Sequence, residues 1–193
     1  MSKAKPFTGS RIVVWGVTGS GKTTFARHLG KTLSLGVVDL DAIRHANGWD
    51  STPYDEFREK LTELLKRYAQ GWVIVGNYSA IMDVYMSLAD TIVWLHVPWR
   101  VWRVLRRTVR GAWTGEPVFE NSPVRESWRL SFLSRKSILW WSIHHHRAGN
   151  RSIRRHLAEL PPSVRVHELR SSREVGAFLS QVQAFTTTLA STS

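Results

Sequence analysis

The feature that most limits what this chain can fold into is an eight-residue run, Gly16-Val17-Thr18-Gly19-Ser20-Gly21-Lys22-Thr23, which meets the pattern GxxxxGK[ST] at every fixed position. Its flanks agree with it. Arg11-Ile12-Val13-Val14-Trp15 is a short apolar run that reads as a buried strand. Thr23 to Leu35 carries Phe25, Leu29 and Leu33 at four-residue spacing and stops at Gly36, the pattern of an amphipathic helix. A glycine-rich turn between such elements lets successive backbone N–H groups point inward at phosphate oxygens, and the helix N-terminus adds partial positive charge there. Lys22 is placed to reach β- and γ-phosphates and the Thr23 hydroxyl to coordinate Mg²⁺, with Gly16, Thr18, Gly19, Ser20, Gly21 and Thr24 completing the cradle.

The remaining pattern alternates strands and helices. Val37-Val38 leading into Asp39-Leu40-Asp41 reads as a short second strand. Thr52 is expected to cap a helix that Pro53 opens, with Phe57, Leu61, Leu64, Leu65 and Tyr68 as its apolar stripe. Trp72-Val73-Ile74-Val75-Gly76 is a third strand, Ile81 to Leu88 a helix, and Thr91 to Val97 a fourth strand stopped by Pro98. Helical patterns follow at 101–110, 125–146 and 151–160, then a fifth strand at 164–169. Ser171 and Glu174 form a capping box for a last helix whose buried face is Val175, Phe178, Leu179, Val182 and Phe185. The expected architecture is a single α/β domain over 11–185: three layers, a five-stranded parallel sheet with helices on both faces, the P-loop NTPase arrangement. Residues 1–10 and 186–193 are expected to be unstructured.

Composition removes several chemistries. With no Cys among 193 residues there are no disulfides, no thiolate-bound metal and no thiol nucleophile. The longest apolar run is too short to span a bilayer and Met1 to Ser10 lacks a signal-peptide core, so a soluble, cytoplasmic protein is expected. The formal charge of +12 is unevenly placed: residues 98–173 hold fifteen Arg and one Lys against five acids. Arg is the side chain of bidentate phosphate and carboxylate recognition, so this segment points to an anionic ligand or to nucleic acid. Its interleaved Trp99, Trp102, Trp113, Trp128, Trp140 and Trp141 pack helices or stack on bases. His144-His145-His146 cannot chelate one ion together from adjacent helical positions.

From Asp39-x-Asp41 onward the sequence resembles the adenylate-kinase-like small kinases, among them nucleotide, shikimate and gluconate kinases. It is most similar in motif order to the group known as DNA topology modulation proteins or adenylate-kinase-like ATPases. The motifs that carry this are the phosphate loop, Leu40-Asp41-Ala42-Ile43 with His45 and Gly48-Trp49, Trp72 to Tyr78, Ala89 to Leu95, and Val97-Pro98 before an Arg-rich helix. The resemblance implies a Mg²⁺–ATP-dependent phosphotransferase acting on a small-molecule or nucleotide-like acceptor. It places Asp39 near the metal with Thr23, and Asp41 at the acceptor together with His45, Trp49, Asn77 and Tyr78. A carboxylate there can order the hydration shell of the ion, accept the acceptor's hydrogen bond or take its proton. Capping the following helix is the structural alternative for either Asp.

The resemblance also makes the basic segment, about 103–147, a lid that closes over ATP. Arg103 and Arg107 fall one helical turn apart and match lid-hinge arginines that contact adenine and phosphate; Arg125 and Arg129 are further candidates on the acceptor side. Arg170, in the loop after the fifth strand, is expected to border the adenine. Related kinases usually carry an acid where Val75 stands, so metal handling falls on Thr23 and the Asp39/Asp41 pair, with Glu168 the other acid near a strand end. Two rivals stand beside a kinase: a nucleic-acid-associated ATPase using the basic segment, and a nucleotide-binding protein without transfer activity.

Overall fold

The computed structural model describes residues 9–17, 19–46, 52–96 and 149–190. Its strands are β1 (Arg11–Gly16), β2 (Gly36–Asp39), β3 (Trp72–Val75), β4 (Thr91–Leu95) and β5 (Arg165–Leu169). The helices are α1 (Lys22–Leu33), α2 (Leu40–Arg44), α3 (Tyr54–Arg67), α4 (Met82–Met86, entered through a 3₁₀ turn Ser79–Ile81), α5 (149–158) and α6 (Ser172–Ala190). All strands pair in parallel in the order β2-β3-β1-β4-β5.

The strands are apolar along their length because both faces of the sheet are covered. Alternate residues of β1 go to opposite cores. Val13 and Trp15 join Phe57, Leu61, Ile81, Tyr85 and Ile153 under α3, α4 and α5. Ile12 and Val14 join Phe25, Leu29, Phe178 and Val182 under α1 and α6. Each fully buried side chain of this size stabilises the fold by about 1.5–3 kcal/mol. Val166 remains 43% exposed because β5 is the edge of the sheet.

The strand order also fixes where a ligand can sit. The chain leaves β1 towards β2 on one side, and leaves β3 towards β4 on the other. The connections diverge between β1 and β3, and in open parallel sheets the crevice at such a switch point is where ligands bind. The loops that begin at Gly16 and Gly76 flank it.

Several local expectations are corrected. β2 ends at Asp39, so Asp41 lies in the first turn of α2 and not on a strand. Thr52 does not cap α3. It is buried, and its hydroxyl and N–H donate to the carbonyls of Ile43 and Arg44 in the last turn of α2. Pro53 takes the cap position, with no side-chain cap bond. Ser10, expected in a loose N-terminus, is held by Asp90, which accepts from the N–H of Ser10 and Arg11 at 2.9 Å each. Thr186 to Ala190, expected in a loose tail, continues α6; the Thr186, Thr187 and Thr188 hydroxyls turn back onto carbonyls of the preceding turn. The lid expected at 103–147 lies outside the described residues.

Phe57 joins the core to the crevice, since its ring meets Tyr78 edge-on at 5.4 Å between centroids. Phe57→Ala is expected to cost about 3–5 kcal/mol in chemical denaturation. A loss below about 1 kcal/mol would show that this side of the core collapses around the gap.

Candidate active site

The loop after β1 is shaped by what its glycines exclude. A Cβ on Gly16 would lie 2.6 Å from Ser20 Oγ and 2.9 Å from the Leu95 carbonyl, closer than atoms can approach. Gly21 starts α1 at φ +86°, a left-handed geometry that a side chain resists. Lys22 folds back over the loop and its Nζ donates to the Val17 carbonyl at 3.3 Å. Ser20 is buried and, among the described residues, its Oγ has no hydrogen-bond partner. An orphaned hydroxyl inside a side-chain-free concavity at a helix N-terminus is what a bound phosphate would satisfy. Thr18 lies outside the described residues, and Thr24 is exposed at the third position of α1.

Across the crevice, Asn77 clamps the phosphate loop. Its Nδ2 donates to the Gly16 carbonyl at 2.7 Å, pinning the loop from the end of β3.

Asp39 and Asp41 separate as their spacing allows. Asp39 caps α2, its Oδ1 accepting from the Asp41 N–H at 3.1 Å, so the structural alternative holds for this residue. Capping does not remove it from the site. Asp39 lines a cavity of about 280 Å³ together with Thr23, Arg27, Ala42, Ile43 and Leu64. Burial and the neighbouring Asp41 carboxylate push the Asp39 carboxyl above its ordinary range, against two backbone N–H donors and the Lys22 charge. A half-buried carboxylate beside a threonine hydroxyl and a phosphate loop suits a hard divalent cation, which would offset that cost. Thr23 and Asp39 thus fit Mg²⁺, and the loop fits the phosphates of ATP.

Asp41 points elsewhere. Its Oδ1 accepts from the Tyr78 hydroxyl at 2.8 Å. Burial, reinforced by Asp41, drives the Tyr78 phenol far above its usual range, so Tyr78 stays a donor. His45 ends α2, its backbone N–H donating to the Asp41 carbonyl at 3.0 Å. The structure thus gathers Lys22, Thr23, Asp39, Asp41 and Tyr78 around one crevice. Trp49, Arg103, Arg107, Arg125 and Arg129 lie outside the described residues.

Arg170 stands at the far end of the sheet, its Nη2 donating to Glu168 Oε2 at 2.7 Å. Glu168 gives its other oxygen to His96 Nδ1 at 2.8 Å, so both oxygens are engaged and it is no metal candidate. Arg58, which the sequence did not single out, ties α3 to α4 through a paired contact with Asp83 at 2.9 and 2.6 Å. That partner is 25 residues away, and no local pattern marks it.

Comparison with known proteins agrees with this geometry. The family model for shikimate kinase matches residues 18–159, about three quarters of the chain. The chain belongs to the shikimate kinase family. It is accordingly an ATP-dependent kinase. A candidate kinase from Chloroflexus aurantiacus is similar to this family member at 16% identity and a TM-score of 0.51, covering 92% of this chain and 98% of that one. Shikimate kinase from Bacteroides thetaiotaomicron shares 17% identity over 95% and 99% of the two chains, with a TM-score of 0.48. Shikimate kinase from Acinetobacter baumannii in complex with shikimate shares 17% over 94% of each, also at 0.48. Identities this low speak for the fold alone. No curated protein matches the chain. No helix among the described residues is long and apolar enough to cross a membrane.

The raised Asp39 carboxyl has a signed consequence for stability. The fold favours the protonated form, so its stabilising contribution is full below the ordinary carboxylate range and is lost as pH rises through the raised folded value. Asp39→Asn keeps the capping oxygen and removes the charge. Relative to the parent, the ligand-free Asn variant is expected to gain thermal stability as pH rises across that window and to level off above it. A difference in melting temperature that is constant from pH 4 to pH 8 would contradict this.

Proposed function

We propose that this kinase transfers the γ-phosphoryl group of ATP to a hydroxyl of a small molecule seated over Asp41 and Tyr78. The observation that carries the reading is the Asp41–Tyr78 hydrogen bond, facing the phosphate loop across the β1–β3 crevice. Tyr78 occupies one oxygen of Asp41 and leaves the other for the acceptor. As the new O–P bond forms and the bond from the γ-phosphorus to the ADP oxygen breaks, the hydroxyl proton passes to Asp41. Lys22 and the loop amides of Gly16 to Thr24 balance charge on the phosphates. Arg103 and Arg107 would add to this on closure, and Arg170 would meet the nucleoside. Thr23 and Asp39 would hold Mg²⁺, whose role is to neutralise charge between β- and γ-oxygens. His45, Trp49, Asn77, Arg125 and Arg129 are the further acceptor contacts in this reading, with Asn77 also bonded to the loop through Nδ2.

Membership of the family does not by itself make shikimate the acceptor. The run Leu40-Asp41-Ala42-Ile43 with His45, and Gly76-Asn77-Tyr78 after β3, support affinity with the adenylate-kinase-like ATPases inside this wider group. The family match supports a small-molecule acceptor and lends no support to a nucleic-acid partner.

The test is an ADP-release screen across hydroxy acids including shikimate, sugars, nucleosides and nucleotides. With any acceptor found, Asp41→Asn is expected to lower kcat by about 10²-fold or more, and Lys22→Ala by a similar factor. Tyr78→Phe is expected to cost about tenfold in kcat, with KM for ATP nearly unchanged. Parent-level kcat in Asp41→Asn, or ADP release with no phosphorylated acceptor, would overturn the proposal.

A further inference from the structure

The sheet separates the two ends of a bound nucleotide. The acids suited to phosphoryl transfer, Asp39 and Asp41, lie at the end of β2, two strands to one side of the phosphate loop on β1. A triphosphate whose γ end faces those acids must carry its nucleoside the other way, over the ends of β4 and β5. Leu95 pairs with Gly16 on one side and with Leu169 on the other, so His96 and Arg170, each one residue further on, stand one and two strands from the loop's first glycine on that side.

What stands there is a connected chain of groups. The His96 ring lies flat on Trp94, with centroids 4.5 Å apart and planes 4° from parallel, and its backbone N–H donates to the Leu169 carbonyl at 2.8 Å. Glu168 bridges His96 Nδ1 at 2.8 Å and Arg170 Nη2 at 2.7 Å with its two oxygens. The Arg170 N–H donates to Glu174 at 2.7 Å, which fixes the backbone of the same residue. Arg170 is nonetheless 65% exposed, against 24% for Glu168. An exposed guanidinium held by a mostly covered carboxylate is oriented without being used up. Of its five N–H donors, Glu168 takes one in a direct bond.

We propose that Glu168 is a positioning residue for nucleoside recognition: it holds Arg170 ready for the base or ribose of the nucleotide and ties it to His96, which begins the connection into the basic segment. The benefit is preorganisation. Without Glu168 the long arginine side chain would lose rotamer freedom only on binding, at a cost to affinity. The proposal rests on the nucleotide lying in the loop with its γ end towards Asp41. It says nothing of the acceptor, so it can be tested where transfer is not detected.

Calorimetric titrations of the full chain with ATP and with inorganic tripolyphosphate separate the nucleoside from the phosphates. Glu168→Gln is expected to weaken ATP binding about tenfold while leaving tripolyphosphate affinity unchanged. Glu168→Asp is expected to recover part of the loss. Arg170→Gln, at an exposed side chain that the fold does not need, is expected to give a similar loss, and the double variant little more than either alone. Equal weakening of ATP and tripolyphosphate would mean that Glu168 only supports the loop. Unchanged ATP affinity, or losses that multiply in the double variant, would equally overturn the proposal. Tripolyphosphate that fails to bind the parent protein would instead refute the underlying placement of phosphates in the loop.

Discussion

The site depends on one mechanical problem, how a loop with three glycines in eight residues stays open. Backbone with so few side chains has little to pack against and much conformational entropy to lose. Here it is held from three directions. Gly16 is part of the ladder to Leu95. Asn77 reaches from the end of β3 to take the Gly16 carbonyl. The far end is anchored by α1, whose Phe25 and Leu29 are buried under α6, with Phe25 and Phe178 centroids 6.0 Å apart. The hydrogen bond from Asn77 crosses the switch point itself, so the crevice that binds phosphate is closed at its base by the same contact that shapes it.

The two carboxylates past β2 show how two residues of one type acquire different tasks. Asp39 is held at the strand–helix junction with backbone N–H groups on its oxygens and a burial cost that a cation would relieve. Asp41, one step into α2, is braced by a phenol that burial keeps protonated. Tyr78 is in turn placed by Phe57, and Phe57 by the core under α3. Strain of this kind is common at working sites, where stability is given up for a group in the state that chemistry needs.

The chain wrote its fold more clearly than its site. Apolar runs at β1, β3 and β4 and the glycine-rich turn were enough for a parallel α/β sheet, because strands buried on both faces must be apolar throughout. The phosphate loop was legible for the same reason: its function is a backbone shape that few residues permit. What failed was local competition between equally plausible partners. Thr52 looks like a helix cap, yet the carbonyls at the end of α2 were closer claimants. The bond from Asn77 Nδ2 reaches a residue 61 positions away, and no local pattern announces it. Arg58 gave no signal at all, and Glu168 was marked only as an acid near a strand end, since their meaning lies in Asp83 and in the His96–Arg170 pair, which only the folded sheet brings near.

Charge completes the division of the sheet's working edge. Several acids outside the crevice are already committed. Asp83 serves Arg58, Asp90 serves the N–H groups at the start of β1, and Glu174 serves the Arg170 backbone. Asp39 and Asp41 face the crevice from the β2 side, while the basic residues crowd the chain beyond β4. Anionic charge near Asp39 is unfavourable without a cation between them, so the β2 side is a poor resting place for phosphate and a good one for a hydroxyl. In the proposed reading this asymmetry turns the nucleotide away from the acids before any side chain meets its base, and leaves Glu168 and Arg170 to refine that direction.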